Sequence, residues 1–203
     1  MVTDMILFDL RACVQAMRKA AAKLWSGGTC GVAFVAFGLW PAHGAEFKLL
    51  EPVAVASVAY LDRFVAADAF KPGREIGGRT LSAVGLNFVT HFTGMVENNV
   101  PATSLQVWAL QYGMGDTSLI GQLGGQEKAA VPFIAYIYRL LEMGESASHT
   151  DGRSNFAYVR SPVDRRLWAV HWSVNSANQW TIGAVYVPHP HLDWRSASYL
   201  LTR

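Results

Sequence analysis

The sequence is short of cysteine and of charge, and both shortages narrow the class of protein. Only 2 of its 203 residues are cysteine, and charged residues make up 16%, against about a quarter in ordinary domains. Hydrophobic residues make up 51%. This balance excludes a disordered chain, a collagen-like or coiled-coil protein and a disulfide-stapled domain. The net charge of +2 gives no electrostatic reason to expect nucleic acid as a partner.

Signature motifs of catalytic and cofactor sites are missing as well. The sequence has no G-x-x-x-x-G-K-[ST] phosphate loop, no G-x-S-x-G nucleophile elbow, no H-E-x-x-H zinc motif and no C-x-x-C pair. The segment 113–115 lacks the third glycine of a dinucleotide-binding loop. We therefore expect no cofactor and no metal, although a metal site needs no continuous motif.

The clearest feature that is present is a secretory signal over residues 1–45. Residues 29–40 are uncharged and largely apolar, the segment 18–23 before them is basic, and small residues follow in the segment 41–45. This order of segments is typical of a signal peptide. The apolar run is shorter than the roughly 20 residues that span a bilayer.

The limits of this signal are open. From Met1 it is longer than the usual 15 to 30 residues or so, whereas a start at Met17 gives an ordinary length and opens Met-Arg-Lys. Cleavage fits after Gly44 or after Ala45. The alternative to a signal peptide is an amphipathic helix over Thr3–Trp25, capped near its start.

After processing we expect a single α+β domain over residues 46–203, periplasmic or secreted, with no integral membrane span. Removal of the signal takes away Cys13 and Cys30, so the mature domain has no disulfide, thiolate nucleophile or cysteine metal site. Its stability must then come from a packed core.

The first two thirds of this domain predict helices and one strand. Residues 47–70 are alanine-rich and mildly favour a helix, 80–97 repeat large apolar residues at steps of three and four, and 104–112 resemble a strand. The best helix pattern is 132–143, which Gly144 can end. Its apolar stripe consists of Phe133, Tyr136, Ile137, Leu140 and Leu141.

The last third changes from a period of 3.6 to a period of 2. Runs at 155–161, 167–174 and 180–187 alternate large apolar and smaller residues, with turn residues between them. Short loops between sequential strands predict an antiparallel meander. The whole pattern predicts an α+β fold, with N-terminal helices packed on one face of an antiparallel sheet that ends in this three-stranded meander.

The candidate binding residues are Trp180, His189, His191 and Trp194, at the expected edge of the sheet. Trp194 lies beyond the last predicted strand among polar residues, which suggests an exposed aromatic, and exposed aromatic side chains are good binding anchors. The alternative is that the tryptophans fill the core of a cysteine-free domain.

Other histidines offer weaker sites. His189 and His191 could bridge a metal with Asp193, because residues two apart on an extended segment point the same way. The simpler interpretation is a proline-rich strand exit in solvent, and the same interpretation suits the loop that contains His149 and Asp151.

Two further histidines complete the set of candidates. His91 and Glu97 could form an acid–base pair, but their spacing on a helix favours a capping or surface role. His171 lies opposite the face of the predicted strand that carries Trp168 and Trp172, so we expect it to be exposed or to line a groove.

Three functions fit these observations. The first is an exported, non-enzymatic binding protein whose partner is an envelope protein, an inhibitor or immunity-type protein being one example. The second is an envelope protein that binds a small apolar ligand. The third is a metal-assisted hydrolase that uses His and Asp residues.

Overall fold

The fold consists mainly of β-strands. The computed structural model describes residues 50–188, 193–194 and 199–202, which belong to a unit spanning Glu46–Arg203. The predicted signal at residues 1–45, together with His189 and His191, lies outside the described residues. No helix in the described part of the chain is long and apolar enough to cross a membrane.

Strands outnumber helices, and no described helix exceeds ten residues. The strands in chain order are β1 (Leu50–Val58), β2 (Leu61–Val65), β3 (Glu75–Ile76), β4 (Arg79–Val84), β5 (Val96–Val100), β6 (Thr103–Leu110), β7 (Met114–Gly115), β8 (Ala130–Val131), β9 (Asn155–Arg160), β10 (Leu167–Val174), β11 (Trp180–Tyr186), β12 (Asp193–Trp194) and β13 (Tyr199–Thr202). The α-helices are α1 (Ala66–Ala69), α2 (Leu86–Phe92), α3 (Asp116–Gln122), α4 (Gln126–Ala129) and α5 (Ile134–Met143). A short 3-10 helix follows at Gly144–Ser146.

A nine-stranded mixed sheet organises the described residues. Its order is β1-β6-β13-β9-β10-β11-β4-β3, and β8 pairs with β9 off this path. The pairs β9–β10 and β10–β11 are antiparallel, whereas β11–β4 and β13–β9 are parallel. Two-stranded sheets form from β2 with β5 and from β7 with β12.

The predicted α+β fold with helices first is wrong. Strands β1 and β2 come first among the described elements, and the fold is mostly β around a curled mixed sheet. In β1, exposed Val55 and Ser57 alternate with buried Ala56 and Val58, the period of a strand. The alanine-rich composition of residues 47–70 had hidden this period.

The predicted helix over residues 80–97 is also wrong in most of its length. It divides into β4, α2 and β5. Gly85, in extended backbone, ends the strand and precedes the helix. Phe88 and Phe92, which suggested a long helical stripe, are buried within the seven residues of α2.

Other sequence predictions agree with the structure. The three C-terminal runs form β9, β10 and β11 as an antiparallel meander, and the predicted strand 104–112 is β6. Helix α5 begins at Ile134, two residues after the predicted Pro132, and ends at Gly144, whose φ is 59°. Of its predicted stripe, Phe133 is half-buried and the other members are buried.

A hydrophobic core lies on each face of the sheet. On β10, Val170 and Trp172 pack into the larger core with residues of α5, and we call this side the helix face. The alternating residue Ala169 packs into a smaller core with Phe156 of β9 and Leu119 of α3, and we call this side the second face. The sequence predicted helices on only one face of the sheet, and this prediction did not include the second core.

Candidate functional site

Trp180, a predicted binding residue, lies in the core. Its side chain is 0% exposed, and its indole N–H donates to the Ile76 backbone oxygen at 3.1 Å. The guanidinium of Arg79 lies 5.5 Å from the indole ring. Trp180 therefore fills the core, as the alternative interpretation of the tryptophans predicts, and does not lie exposed at a sheet edge.

Trp194 is also buried, at 5% exposure, so the prediction of an edge aromatic is wrong. Its ring stacks on Phe156 with centroids 3.9 Å apart. Its indole N–H and the Tyr158 hydroxyl each donate to Asp116 Oδ1 at 2.8 Å. Burial and the neighbouring carboxylate raise the pKa of Tyr158. The residues next to Trp194 in the sequence are polar, and the partners of its side chain lie far away in the chain. The burial of Trp194 could therefore not be recognised from its local sequence.

Glu97 caps a helix instead of pairing with His91. Its two carboxylate oxygens accept hydrogen bonds from the Ile134 N–H at 2.8 Å and the Ala135 N–H at 2.9 Å. These donors belong to the first turn of α5, where backbone N–H groups have no partner within the helix. Burial raises the pKa of Glu97, and the two N–H donors offset this only in part.

The cluster around His91 is the nearest approach to a catalytic arrangement. His91 Nδ1 lies 3.0 Å from Ser161 Oγ and 4.0 Å from Asp164 Oδ2, and its ring lies 3.9 Å from that of Trp168. A Ser-His-Asp triad needs the hydroxyl and the carboxylate on different ring nitrogens. Here both face Nδ1 and Ser161 is buried, so the cluster fastens α2 to the turn after β9.

Asp164 is held in that turn as a carboxylate. Desolvation raises its pKa, but hydrogen bonds from the Arg166 backbone N–H and the Trp168 indole outweigh this effect, so that the pKa is lowered. The Arg166 N–H lies 3.0 Å from Asp164 Oδ1. A carboxylate used in this way orders the loop, as Asp residues commonly do in turns.

The described residues offer little for a metal. They contain no group of three or more His, Cys, Asp or Glu side chains that could hold one. His149 Nδ1 lies 3.7 Å from Asp151 Oδ1, and Arg153 Nε lies 2.8 Å from Asp151 Oδ2. Asp151 is therefore ion-paired with Arg153 in this loop.

The candidate site is a groove on the second face, and His171 lies at it as the sequence predicted. We call it the His171 groove. It has a volume of about 350 Å³. Its lining residues are Ala83, Gly85, Leu86, Asn87, His171, Thr181, Ile182, Gly183 and Ala184.

Small residues make this groove possible. Gly183 pairs across the strands with His171, and a Cβ on Gly183 would lie 2.7 Å from His171 Nε2. A Cβ on Gly85 would lie 3.3 Å from the Gly183 Cα. The absence of side chains at both positions lets the imidazole lie over the strand and lets α2 begin beside it.

Some polar groups of the groove already make hydrogen bonds within the protein, and the His171 imidazole is the candidate group for a ligand. Asn87 donates its amide to the Ala184 backbone oxygen at 3.1 Å, and the Thr181 hydroxyl lies 3.1 Å from Ser173 Oγ. Burial lowers the pKa of His171, which keeps its imidazole neutral at neutral pH. A neutral imidazole can donate one hydrogen bond and accept another.

Sequence reasoning missed the other residues of the groove. It identified His171, but Gly85 was only a weak point in a predicted helix and Gly183 was only a position on a strand face. The sequence did contain a signal for Gly183. If the turn between the second and third strands of the meander is placed at residues 175–178, His171 and Gly183 become neighbours on adjacent strands. Gly85 could not be found in this way, since β4 pairs with β11 across about a hundred residues of chain.

Comparisons with known proteins add no relatives. No protein-family model matches the chain, and neither a curated protein nor a solved structure matches it. The function must therefore be argued from the residues and their geometry.

Proposed function

We propose that this chain is an exported, non-enzymatic binding protein that holds a small, uncharged ligand in the His171 groove. The observation that carries the proposal is a hollow of about 350 Å³ with a neutral imidazole at its floor. This volume is at the small end of ligand sites, which run from about 300 to 1,000 Å³.

The lining of the groove suits an apolar body with one polar end. Leu86 at the rim is 79% exposed, and Ala83, Gly85 and Ala184 present small apolar groups or backbone. His171 supplies a hydrogen-bonding group whose role follows the ligand's own chemistry. A charged ligand has no counter-charge among the described residues that line the groove.

The same lining favours binding over turnover. General acid–base catalysis by a histidine works on a nucleophile or water that a second group positions. Thr181 is the one described hydroxyl residue in the lining, and its Oγ1 is engaged by Ser173.

Export is the second part of the proposal, and it is supported by the order of segments in residues 18–45. Fractionation followed by N-terminal sequencing of the recovered protein tests it. We expect a mature chain that starts at Ala45 or Glu46 in the periplasm or medium. An intact chain in the cytosol would contradict export without affecting the groove.

Ligand binding is tested by NMR titration with phenol, cyclohexanol and acetamide as small uncharged probes. We expect saturable shifts of the Gly85, Thr181 and Gly183 amide signals with at least one probe. In Gly183→Ala, whose Cβ would meet the imidazole at 2.7 Å, these shifts should be lost.

The matched control is Gly121→Ala, since a Cβ there meets nothing within 4 Å. It should bind like wild type. Shifts that survive Gly183→Ala, or that never saturate with any probe, would overturn the assignment of this groove as the binding site.

A partner protein is the second candidate, and one observation favours it. Val89 lies one helical turn after Leu86 on α2, and both side chains are exposed. Residues three apart share a helix face, so the two form an apolar strip beside the groove. A partner would contact this strip, and Val89→Asp would then abolish binding without altering the probe titrations.

A further inference from the structure

A second depression lies between β2, α1 with the residues that follow it, and helix α5. Its volume is about 300 Å³, and we call it the arginine groove. The residues that define it are Arg63, Asp68, Arg74, Tyr138, Arg139 and Glu142.

Arg139 carries the unusual feature of this groove. Its Nη1 donates to Glu142 Oε2, one turn along α5. Its Nε is buried and has no hydrogen-bond partner. A buried donor without an acceptor is unfavourable, and more so when the group is charged. Such a group calls for an acceptor that is supplied from outside the chain.

The free edge of this guanidinium has a defined chemistry. With Nη1 engaged by Glu142, the Nε–H and one Nη2–H remain as a parallel pair of donors. A planar pair of this kind matches the two oxygens of a carboxylate or a phosphate. Nε is buried, so an oxyanion reaches this edge only when the guanidinium turns toward the groove, and Nε has no hydrogen bond to lose in that turn.

Arg74 and Arg63 add positive charge to the same groove. The Arg74 guanidinium lies 5.8 Å from the centre of the Tyr138 ring, and its Nη1 donates to the Asp68 backbone oxygen at 3.0 Å. Both contacts fix the guanidinium while leaving further donors. Arg63 is exposed on β2 at the rim.

The acidic residues cancel only part of this charge. Glu142 engages Arg139 through its carboxylate, whereas Asp68 engages Arg74 only through its backbone oxygen. Three guanidinium groups against two carboxylates leave the lining with a formal excess of one positive charge. An incoming oxyanion therefore meets oriented donors in a locally positive site.

We propose that the arginine groove is a binding site for an oxyanion, a carboxylate or phosphate group of a small molecule, with Arg139 as its bidentate ligand. The site is separate from the His171 groove, and its test does not depend on whether the ligand proposed there binds.

The test follows the arginine Nε–H signals by NMR during titration with inorganic phosphate and with succinate. We expect the Arg139 Nε–H signal to shift and saturate, with amide shifts confined to β2, residues 68–74 and α5. Stronger binding of phosphate would assign a phosphate ligand, and stronger binding of succinate a carboxylate ligand. The His171 groove signals should not move.

Arg139→Lys keeps the charge and removes the fork, so binding should weaken at least tenfold, on the order of a bidentate pair's loss. The matched control Arg153→Gln removes an exposed charge elsewhere and should bind like wild type. If Arg139→Lys does not fold, Arg63→Gln at the exposed rim takes its place, with a smaller but measurable weakening. Equal shifts with sodium chloride, or unchanged affinity in these variants, would overturn the site.

Discussion

The two faces of the central sheet differ in how the chain covers them. On the helix face, β10 contributes Val170 and Trp172 to a core that includes most of α5. On the second face, Ala169 of the same strand packs into the smaller core with residues of α3 and with Trp194, whereas His171 lines a groove.

The difference shows that the size of the side chains at alternating positions of a strand decides which parts of the sheet surface other elements cover. Large residues on one face require a covering layer, because their apolar area must be removed from water. The other face also carries large residues such as Phe156 and Trp194, but beside His171 its residues are small, and Gly183 leaves room that a ligand can use. One strand therefore supports both a core and a site.

The largest effect is expected from Trp194→Ala, which removes the cover of the second face. Loss of the stack on Phe156 and of the indole bond to Asp116 should lower the free energy of unfolding by about 3–5 kcal/mol, as for large aromatic truncations in cores. Urea unfolding measures it. Tyr112→Ala, at an exposed aromatic, should change little. A small effect at Trp194 would mean that the second face has no core.

Leu140→Ala should follow, with a loss of about 2–5 kcal/mol, because Leu140 is fully buried in the core of the helix face. Met143→Ala in the same helix is the control, since Met143 is partly exposed, and its loss should be clearly smaller. Equal losses at the two positions would contradict the orientation of α5. Thermal or urea unfolding of both variants decides this.

Glu97→Ala sharpens the comparison by testing the polar support of the helix face. Two N–H groups of α5 would lose their acceptors, which should lower the free energy of unfolding by about 1–3 kcal/mol. Glu97→Gln keeps one carbonyl oxygen as an acceptor and should lose less. If alanine and glutamine behave alike, the carboxylate is not the cap that the distances indicate.

The smallest effect concerns pH. Burial lowers the pKa of His171 below its usual 6.5 in the folded state, so in this window the unfolded chain binds more protons. The free energy of unfolding should therefore rise with pH up to about 6.5 and gain nothing further from this group above it. His171→Asn should remove this part of the slope, and His149→Asn should keep it. An unchanged slope in His171→Asn would show that the imidazole is not buried.

Much of the sheet's second half could be predicted from the sequence, because period-2 patterns and short turns are local signals. Helix α5 was predictable for the same reason, since its apolar stripe is continuous. The helix predictions for the segments 47–70 and 80–97 were wrong for two reasons. Alanine and glycine weaken the periodic pattern of apolar residues, and the chain passes from one element to the next within a few residues. The parallel pairing of β4 with β11 leaves no local trace.

The candidate site was predictable only in part. Alternation along β10 predicted that His171 lies opposite Trp168 and Trp172, exposed or lining a groove, and it does line one. It could not show that Trp180 and Trp194 are buried, because their hydrogen-bond partners Ile76 and Asp116 are 104 and 78 residues away. The arginine groove gave no signal at all, since its three guanidinium groups come from separate elements.

The place of β13 has a consequence for the timing of folding. Residues 199–202 follow every other described strand in the chain, yet they lie between β6 and β9 inside the sheet. Until a ribosome has released them, the β1–β6 pair has no link through the sheet to the β9–β10–β11 meander. The sheet therefore closes only after translation has passed residue 202, and contacts so distant in sequence form slowly.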